Sequence, residues 1–178
     1  MARKVPPILR GGIEPIERQA FEPPTDRRCM DICVILGSKS DLPIAEKCRT
    51  VLEQFDVSFE IRVASAHRAP KYLEGIVEGA ESEGCKVFIG MAGVSAALPG
   101  VIASMTNKPV IGVPVGGKVP LDSLLSIVQM PPGMPVATVA LGGWGARNSA
   151  VLAAQILGLK YDKIAEANKA YRQRLRER

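Results

Sequence analysis

Two rhythms of apolar residues alternate along this chain. The first is the short apolar run, unbroken over Ile32 to Leu36, with Lys86-Val87-Phe88-Ile89 and Val110 to Val115 as further strand-like segments. Such runs suit central parallel strands covered on both faces. Phe59 to Val63 and Val136 to Leu141 bring the predicted strands to five. The second rhythm is helical. Ile44, Cys48, Val51, Leu52 and Phe55 recur at helical spacing and leave Glu46, Lys47 and Arg49 outward. Pro70 suits a first helical turn, where the amide it lacks would have no partner, and that helix runs toward Glu83 until Gly84 closes it. Further helices are predicted through about Met105, over Leu121 to Met130, from Ser149 to about Leu157, and from Asp162 to Arg176.

Strand followed by helix, five times over, predicts an α/β protein: a central parallel sheet with helices on both faces. Residues 1–30 stand apart as an extended tail carrying Pro6, Pro7, Pro15, Pro23 and Pro24. The α/β domain is expected over 31–160 and a C-terminal helix over 161–178. The polar or glycine-rich loops all follow strands: Gly37 to Asp41, Ser65 to Arg68, Gly90 to Gly100, Gly116-Gly117 and Gly142 to Asn148. They therefore gather at the carboxyl edge of the sheet, where open α/β folds bind ligands.

Composition narrows the class. Nearly half the residues are apolar, yet no stretch is long and apolar enough to span a bilayer. Aromatics make up only 4% of the chain, too few for a base-stacking platform, and the net charge of +5 lies largely at the two ends. Neither a nucleic-acid nor a membrane partner is expected. The first 28 residues lack the apolar core of a secretory signal. Cys29, Cys33, Cys48 and Cys85 have no C-x-x-C spacing and no companion histidines, so they read as thiols of a reducing, cytoplasmic compartment, with no metal site.

The loops hold the candidate chemistry. His67 is the sole histidine of 178 residues, and it sits between Ser65-Ala66 and Arg68. That places a group able to carry a proton at neutral pH beside a forked cation suited to phosphate. Gly37, Ser38, Lys39, Ser40 and Asp41 offer amides, hydroxyls and a helix start, a set that suits a phosphate, while Asp41 can accept from ribose hydroxyls. A sugar phosphate satisfies both halves of the loop. Each feature also has a plain structural reading. Ser40 or Asp41 would merely cap a helix, Arg68 would form a surface salt bridge, and the small residues of Gly90 to Gly100 would permit close packing as readily as approach of a flat ring. Leu121 to Met130 reads as core packing, and the basic residues from Arg172 to Arg178 as a solvated helix end.

Taken together, Gly37-Ser38-Lys39-Ser40-Asp41, Ser65-Ala66-His67-Arg68, Leu98-Pro99-Gly100, Pro109 to Val115, Leu121 to Pro131 and Pro135 to Val139 resemble the purine-biosynthesis PurE family over roughly residues 31–160. The resemblance implies a flavodoxin-like three-layer αβα sandwich, a homo-octamer, and carboxyl transfer on 5-aminoimidazole ribonucleotide without a cofactor. It implies that Gly37, Ser38, Ser40, Asp41, Ser65, Ala66 and Arg68 hold the ribose phosphate, that His67 shuttles protons, and that Gly93, Ser95, Ala96, Ala97 and Leu98 cover the imidazole and carboxylate. Most bacterial members are mutases acting on the N5-carboxyamino ribonucleotide; a second class adds carbon dioxide to the amine directly. Mutases usually carry a histidine where this chain has Ala97, and Ser95 resembles the direct carboxylases. Gly112 to Val115 and Ser126 to Pro131 follow the mutase pattern, which makes mutase the expectation and direct carboxylation the alternative. A non-catalytic flavin or nucleotide module is a third reading, for which Trp144 is the only loop aromatic.

Overall fold

The computed structural model describes residues 30–116 and 120–177, Pro120 by its backbone alone. Of the expected tail 1–30, residues 1–29 lie outside that range, as does Gly117, while Met30 is buried in the domain and its amide donates to the Glu83 carbonyl. Five strands, β1 (Ile32–Leu36), β2 (Phe59–Val63), β3 (Val87–Ala92), β4 (Val110–Pro114) and β5 (Ala137–Thr138), form one parallel sheet in the order β2-β1-β3-β4-β5. Six helices accompany them: α1 (Leu42–Leu52), α2 (Pro70–Ser82), α3 (Leu98–Met105), α4 (Pro120–Val128), α5 (Gly142–Gly158) and α6 (Asp162–Arg176). The sheet is the middle layer of an αβα sandwich, as expected.

Alternation along β1 shows why both faces had to be apolar. Ile32, Val34 and Leu36 join one core with Ala45, Cys48 and Leu52 of α1 and with Ala146, Ala150 and Ala153 of α5. Cys33 and Ile35 join the other with Leu73 and Val77 of α2, Ile102 of α3 and Ile127 of α4. α6 closes over the first core: Ile164 is buried, and the Tyr171 ring meets Phe55 edge-on at 5.3 Å. Ala45, rather than Ile44, is the fully buried residue of the first turn of α1; Ile44 is only half-buried. Gly84 closes α2 with φ of +94°, a conformation that costs glycine little. The thiols of Cys33, Cys48 and Cys85 are buried and unpaired, and burial pushes them up, Cys85 to about 11 and Cys48 to about 12.

Four expectations need correction. β3 continues through Gly90 and Met91 to Ala92, so the third loop starts later than Gly90. β5 is two residues long, not Val136 to Leu141; it is an edge strand, and Ala140 at φ of +103° ends the extended course. α5 starts at Gly142, not Ser149. Its glycines weigh against a helix by propensity, but a Cβ on Gly145 would lie 2.2 Å from the Ala140 carbonyl oxygen, and only a bare backbone can turn there. Finally, α4 contributes Ser123 and Ile127 to the interior, while Leu121, Leu125 and Val128 are exposed, so core packing accounts for one side of that helix only.

Candidate active site

Three loops leave the sheet in step because their roots are hydrogen-bonded together. The Gly37 amide donates to the Met91 carbonyl at 2.9 Å, Ala64 to Leu36 at 2.9 Å, and Val115 to Ala92 at 2.8 Å. These bonds carry the ladders one residue past the strands, so the loops after β1, β2 and β3 start from a common rigid floor. β1 and β3 are the strands between which the chain reverses its order in the sheet, the switch point where such folds leave a crevice. A cavity of about 400 Å³ opens there.

The first loop is built by its own side chains. Ser38, in an extended conformation, caps the 3₁₀ turn Lys39–Asp41: its Oγ accepts from the Ser40 amide at 3.3 Å, and Asp41 Oδ2 accepts from the Ser38 amide at 3.1 Å. Ser38 thus caps the turn in a reciprocal capping box, while Asp41 holds the N-cap position of α1 without a side-chain bond to that helix. The Ser40 hydroxyl lies 2.9 Å from Ser38 Oγ and 3.3 Å from Asp41 Oδ1. Asp41 is buried; desolvation pushes its carboxyl up, against the pull of hydrogen bonds from Ser40 and Ser38.

The second loop is pinned by Ser65. Its hydroxyl accepts from the Arg68 amide and from Arg68 Nε, each at 3.3 Å, and its carbonyl accepts from the Ala69 amide at 2.9 Å. Arg68 makes no ion pair among the described residues, and its one side-chain bond, through Nε to Ser65, leaves most of the guanidinium fork for a ligand. His67 is exposed on the rim and makes no hydrogen bond to a described residue, so neither ring nitrogen is committed to one of them.

The third loop folds on itself through bonds from Ala96 to the Val94 carbonyl (3.0 Å) and from Ala97 to the Ser95 carbonyl (2.7 Å). Val94 sits at φ of +58°, a strained position for a β-branched residue and worth on the order of 1–3 kcal/mol. Ala97 precedes α3 and offers no side-chain cap, so the helix presents first-turn amides and the positive end of its dipole beside the cavity.

Twelve of the thirteen expected site residues line this one cavity: Gly37, Ser38, Ser40 and Asp41 from the first loop, Ser65, Ala66, His67 and Arg68 from the second, and Gly93, Ser95, Ala97 and Leu98 from the third. The exception is Ala96, which is 1% exposed and turned into the core on the α2–α3 side. The tight turns on either side of it reverse its direction, which no property of an alanine announces. Ala92 and Val94 line the cavity as well. Ala92 was expected in the third loop and instead reaches the cavity as the last residue of β3. No aromatic side chain lines the cavity; Trp144 lies in the first turn of α5, 77% exposed and away from it. Among the described residues no cluster of three acidic, thiol or imidazole groups could hold a metal ion, and no helix is long and apolar enough to cross a membrane.

Fold and site together define a flavodoxin-like α/β protein with a ligand-sized cavity at its switch point, furnished with hydroxyls, a guanidinium and an imidazole. The AIR carboxylase family matches residues 31–178, and the chain belongs to that family. It is 52% identical over 148 residues to the N5-carboxyaminoimidazole ribonucleotide mutase of Methanocaldococcus jannaschii, spanning 83% of this chain and 91% of that one. The protein of the same description from Thermotoga maritima is 48% identical over 80% of this chain and 84% of its own. Among solved structures, Treponema denticola PurE superposes with a TM-score of 0.74 at 28% identity, over 82% of this chain and 91% of that one.

Proposed function

We propose that this protein isomerises N5-carboxyaminoimidazole ribonucleotide to 4-carboxy-5-aminoimidazole ribonucleotide in purine biosynthesis. The observation that carries the reading is identity near 50%, over about four fifths of the chain, to mutases from archaea and bacteria. In this reading Arg68, Ser38 and Ser65 hold the phosphate, and Ser40 and Asp41 meet the ribose. The third loop covers the imidazole and the migrating carboxyl group, with Ala96 supporting it from behind. Arg68 and the uncapped start of α3 put positive potential at two sides of a substrate that carries two anionic groups, phosphate and carboxylate.

The reaction balances without an added co-reactant. The bond from N5 to the carboxyl carbon breaks, releasing carbon dioxide, and N5 gains a proton. C4 of the electron-rich ring then attacks the carbon dioxide, and the C4 proton leaves. His67 donates the first proton and accepts the second, ending as it began. The site's own contribution is to hold ring and carbon dioxide together between the two steps.

Direct carboxylation of the amine by free carbon dioxide is the second reading, favoured by Ala97. A flavin module is disfavoured by a cavity lined with no aromatic ring. We further infer an octamer in the cytoplasm: Leu121, Leu125 and Val128 form an exposed apolar stripe on α4, and Leu141 and Trp144 add to the uncovered apolar surface. A monomer by light scattering at micromolar concentration would contradict the assembly. Labelled bicarbonate tests the activity. Unlabelled carbamate turned over in such a buffer should yield product with little label, whereas heavily labelled product at early times would favour the direct carboxylase.

A further inference from the structure

Gly90 of β3 and Gly112 of β4 are cross-strand partners, so the rung between these two strands carries no side chain, although Ile35 of β1 and Thr138 of β5 flank it. Glycine weakens a strand interior, and two on a rung point to a backbone or ring that must come close. What comes close is Pro99, the second residue of α3. A Cβ on Gly90 would lie 3.2 Å from both Cα and Cγ of Pro99, and one on Gly112 would lie 3.2 Å from Pro99 Cβ. The buried pyrrolidine ring thus stands directly on the bare rung, and its neighbours toward the cavity, Ala97 and Leu98, are lining residues.

Resting on the mutase reading, we propose that Gly90 and Gly112 are positioning residues: their bare rung seats Pro99 and so sets how closely the start of α3 approaches the carboxyl group that migrates in the site. Pro99 suits the task. Its ring fixes φ and takes no part in helix hydrogen bonding, so contact with the sheet determines its place. A displacement of a few tenths of an ångström there passes through one peptide unit to Leu98 and the Ala97 turn, with no flexible side chain between to absorb it. Gly112 also has a purely structural duty, since a Cβ there would come within 2.4 Å of Ile127 and 2.9 Å of Val136. Gly90 is the cleaner probe, because the three nearest atoms its Cβ would meet all lie at 3.2 Å and belong to Pro99 or Ile102, both on α3.

The test follows the carbon dioxide. Full-length protein turns over unlabelled carbamate in labelled bicarbonate, and the labelled fraction of product measures escape per turnover. Wild type should give little label. In Gly90→Ala the fraction should rise several-fold with KM for the nucleotide changed less than twofold, because the phosphate loops stand on other strands. Pro99→Ala, which empties the seat without touching the sheet, should move the fraction in the same direction. Gly75→Ala on α2, with no atom within 4 Å of the added Cβ, should leave it unchanged. Slower turnover at wild-type label in both Gly90→Ala and Pro99→Ala would mean a merely structural role and overturn the proposal. Heavy label in wild type would instead overturn the mutase reading. The seat would then show as a raised KM for carbon dioxide in both variants, and an unchanged value would dismiss it as well.

Discussion

The two edges of the sheet each hold a hollow, and the larger one lies at the wrong end for the proposed chemistry. At the amino edge a groove of about 600 Å³ runs between the end of α2, the end of α3 and the segment before β5. Three of its polar groups satisfy one another: the Thr106 hydroxyl donates to Glu81 and accepts from the Lys108 amide. At the carboxyl edge the cavity is smaller, about 400 Å³; Ser38, Ser40 and Asp41 bond to one another there as well, but the His67 ring has no hydrogen bond to a described residue and the Arg68 guanidinium keeps only the Ser65 hydroxyl. The difference follows from chain direction. In a parallel βαβ sheet every helix begins at the carboxyl edge and ends at the amino edge, so positive helix ends and unbonded first-turn amides collect on one side only. α2 and α3 both begin there without a side-chain cap. Volume finds hollows; helix polarity tells which of them suits an anion.

That contrast can be broken or sharpened by experiment. The largest effect is expected for His67→Asn, which should lower turnover by about 100- to 10,000-fold while nucleotide affinity stays within a few-fold, because proton transfer and phosphate holding use different residues. Equal losses of rate and binding, by kinetics and calorimetry, would sink that division. Arg68→Ala should raise KM by about 10- to 100-fold, the scale of a charge-assisted contact to phosphate, and an unchanged KM would remove it from the phosphate site.

At the amino edge the expected effects are on folding alone. Asp31 accepts from Lys86 Nζ at 2.8 Å and from the Ser58 hydroxyl at 2.7 Å, tying the start of β1 to the starts of β3 and β2. Desolvation by burial works to raise the Asp31 carboxyl, but the bonds from Lys86 and Ser58 outweigh it and hold the group below its ordinary 3.8. Its stabilisation is therefore present above pH 3.8 and lost as pH falls through the lower folded value. Lys86 is raised above 10.5, chiefly by the bond to Asp31, so its share is complete below that pH and fades as pH rises through the folded value. Asp31→Ala should cost about 1–3 kcal/mol in urea unfolding at pH 7, and the gap from wild type should close in strong acid. A gap that persists there would mean that packing, not ionisation, is lost. The smallest effect belongs to the groove itself: Lys108→Ala should change kcat/KM by less than twofold, and a tenfold loss would bring the amino edge into the catalytic scheme.

Much of this was legible in the residues. β1, β2, α2 and the order of the elements follow from the period of apolar positions, and that period is set by burial on one face or two, a requirement each segment carries alone. The convergence of three loops also follows, because strand-helix alternation in a parallel sheet leaves their ends one edge to occupy. Recognition of the glycine, serine and histidine motifs then named most of the residues that line the cavity. Other features depended on contacts between segments far apart in the chain. α5 begins at Gly142 because a bare backbone is needed beside the Ala140 carbonyl, against local propensity. α4 keeps Leu121, Leu125 and Val128 outside because the sheet offers room for only one side of it. Ala96 faces the core because the turns around it reverse the chain, and Pro99 finds its place on Gly90 and Gly112 because two strands in register leave a rung without side chains. Local pattern determines which segments become strands and helices, while their ends and the facing of small residues are decided by what packs against them, and an alanine or a glycine carries no pattern of its own.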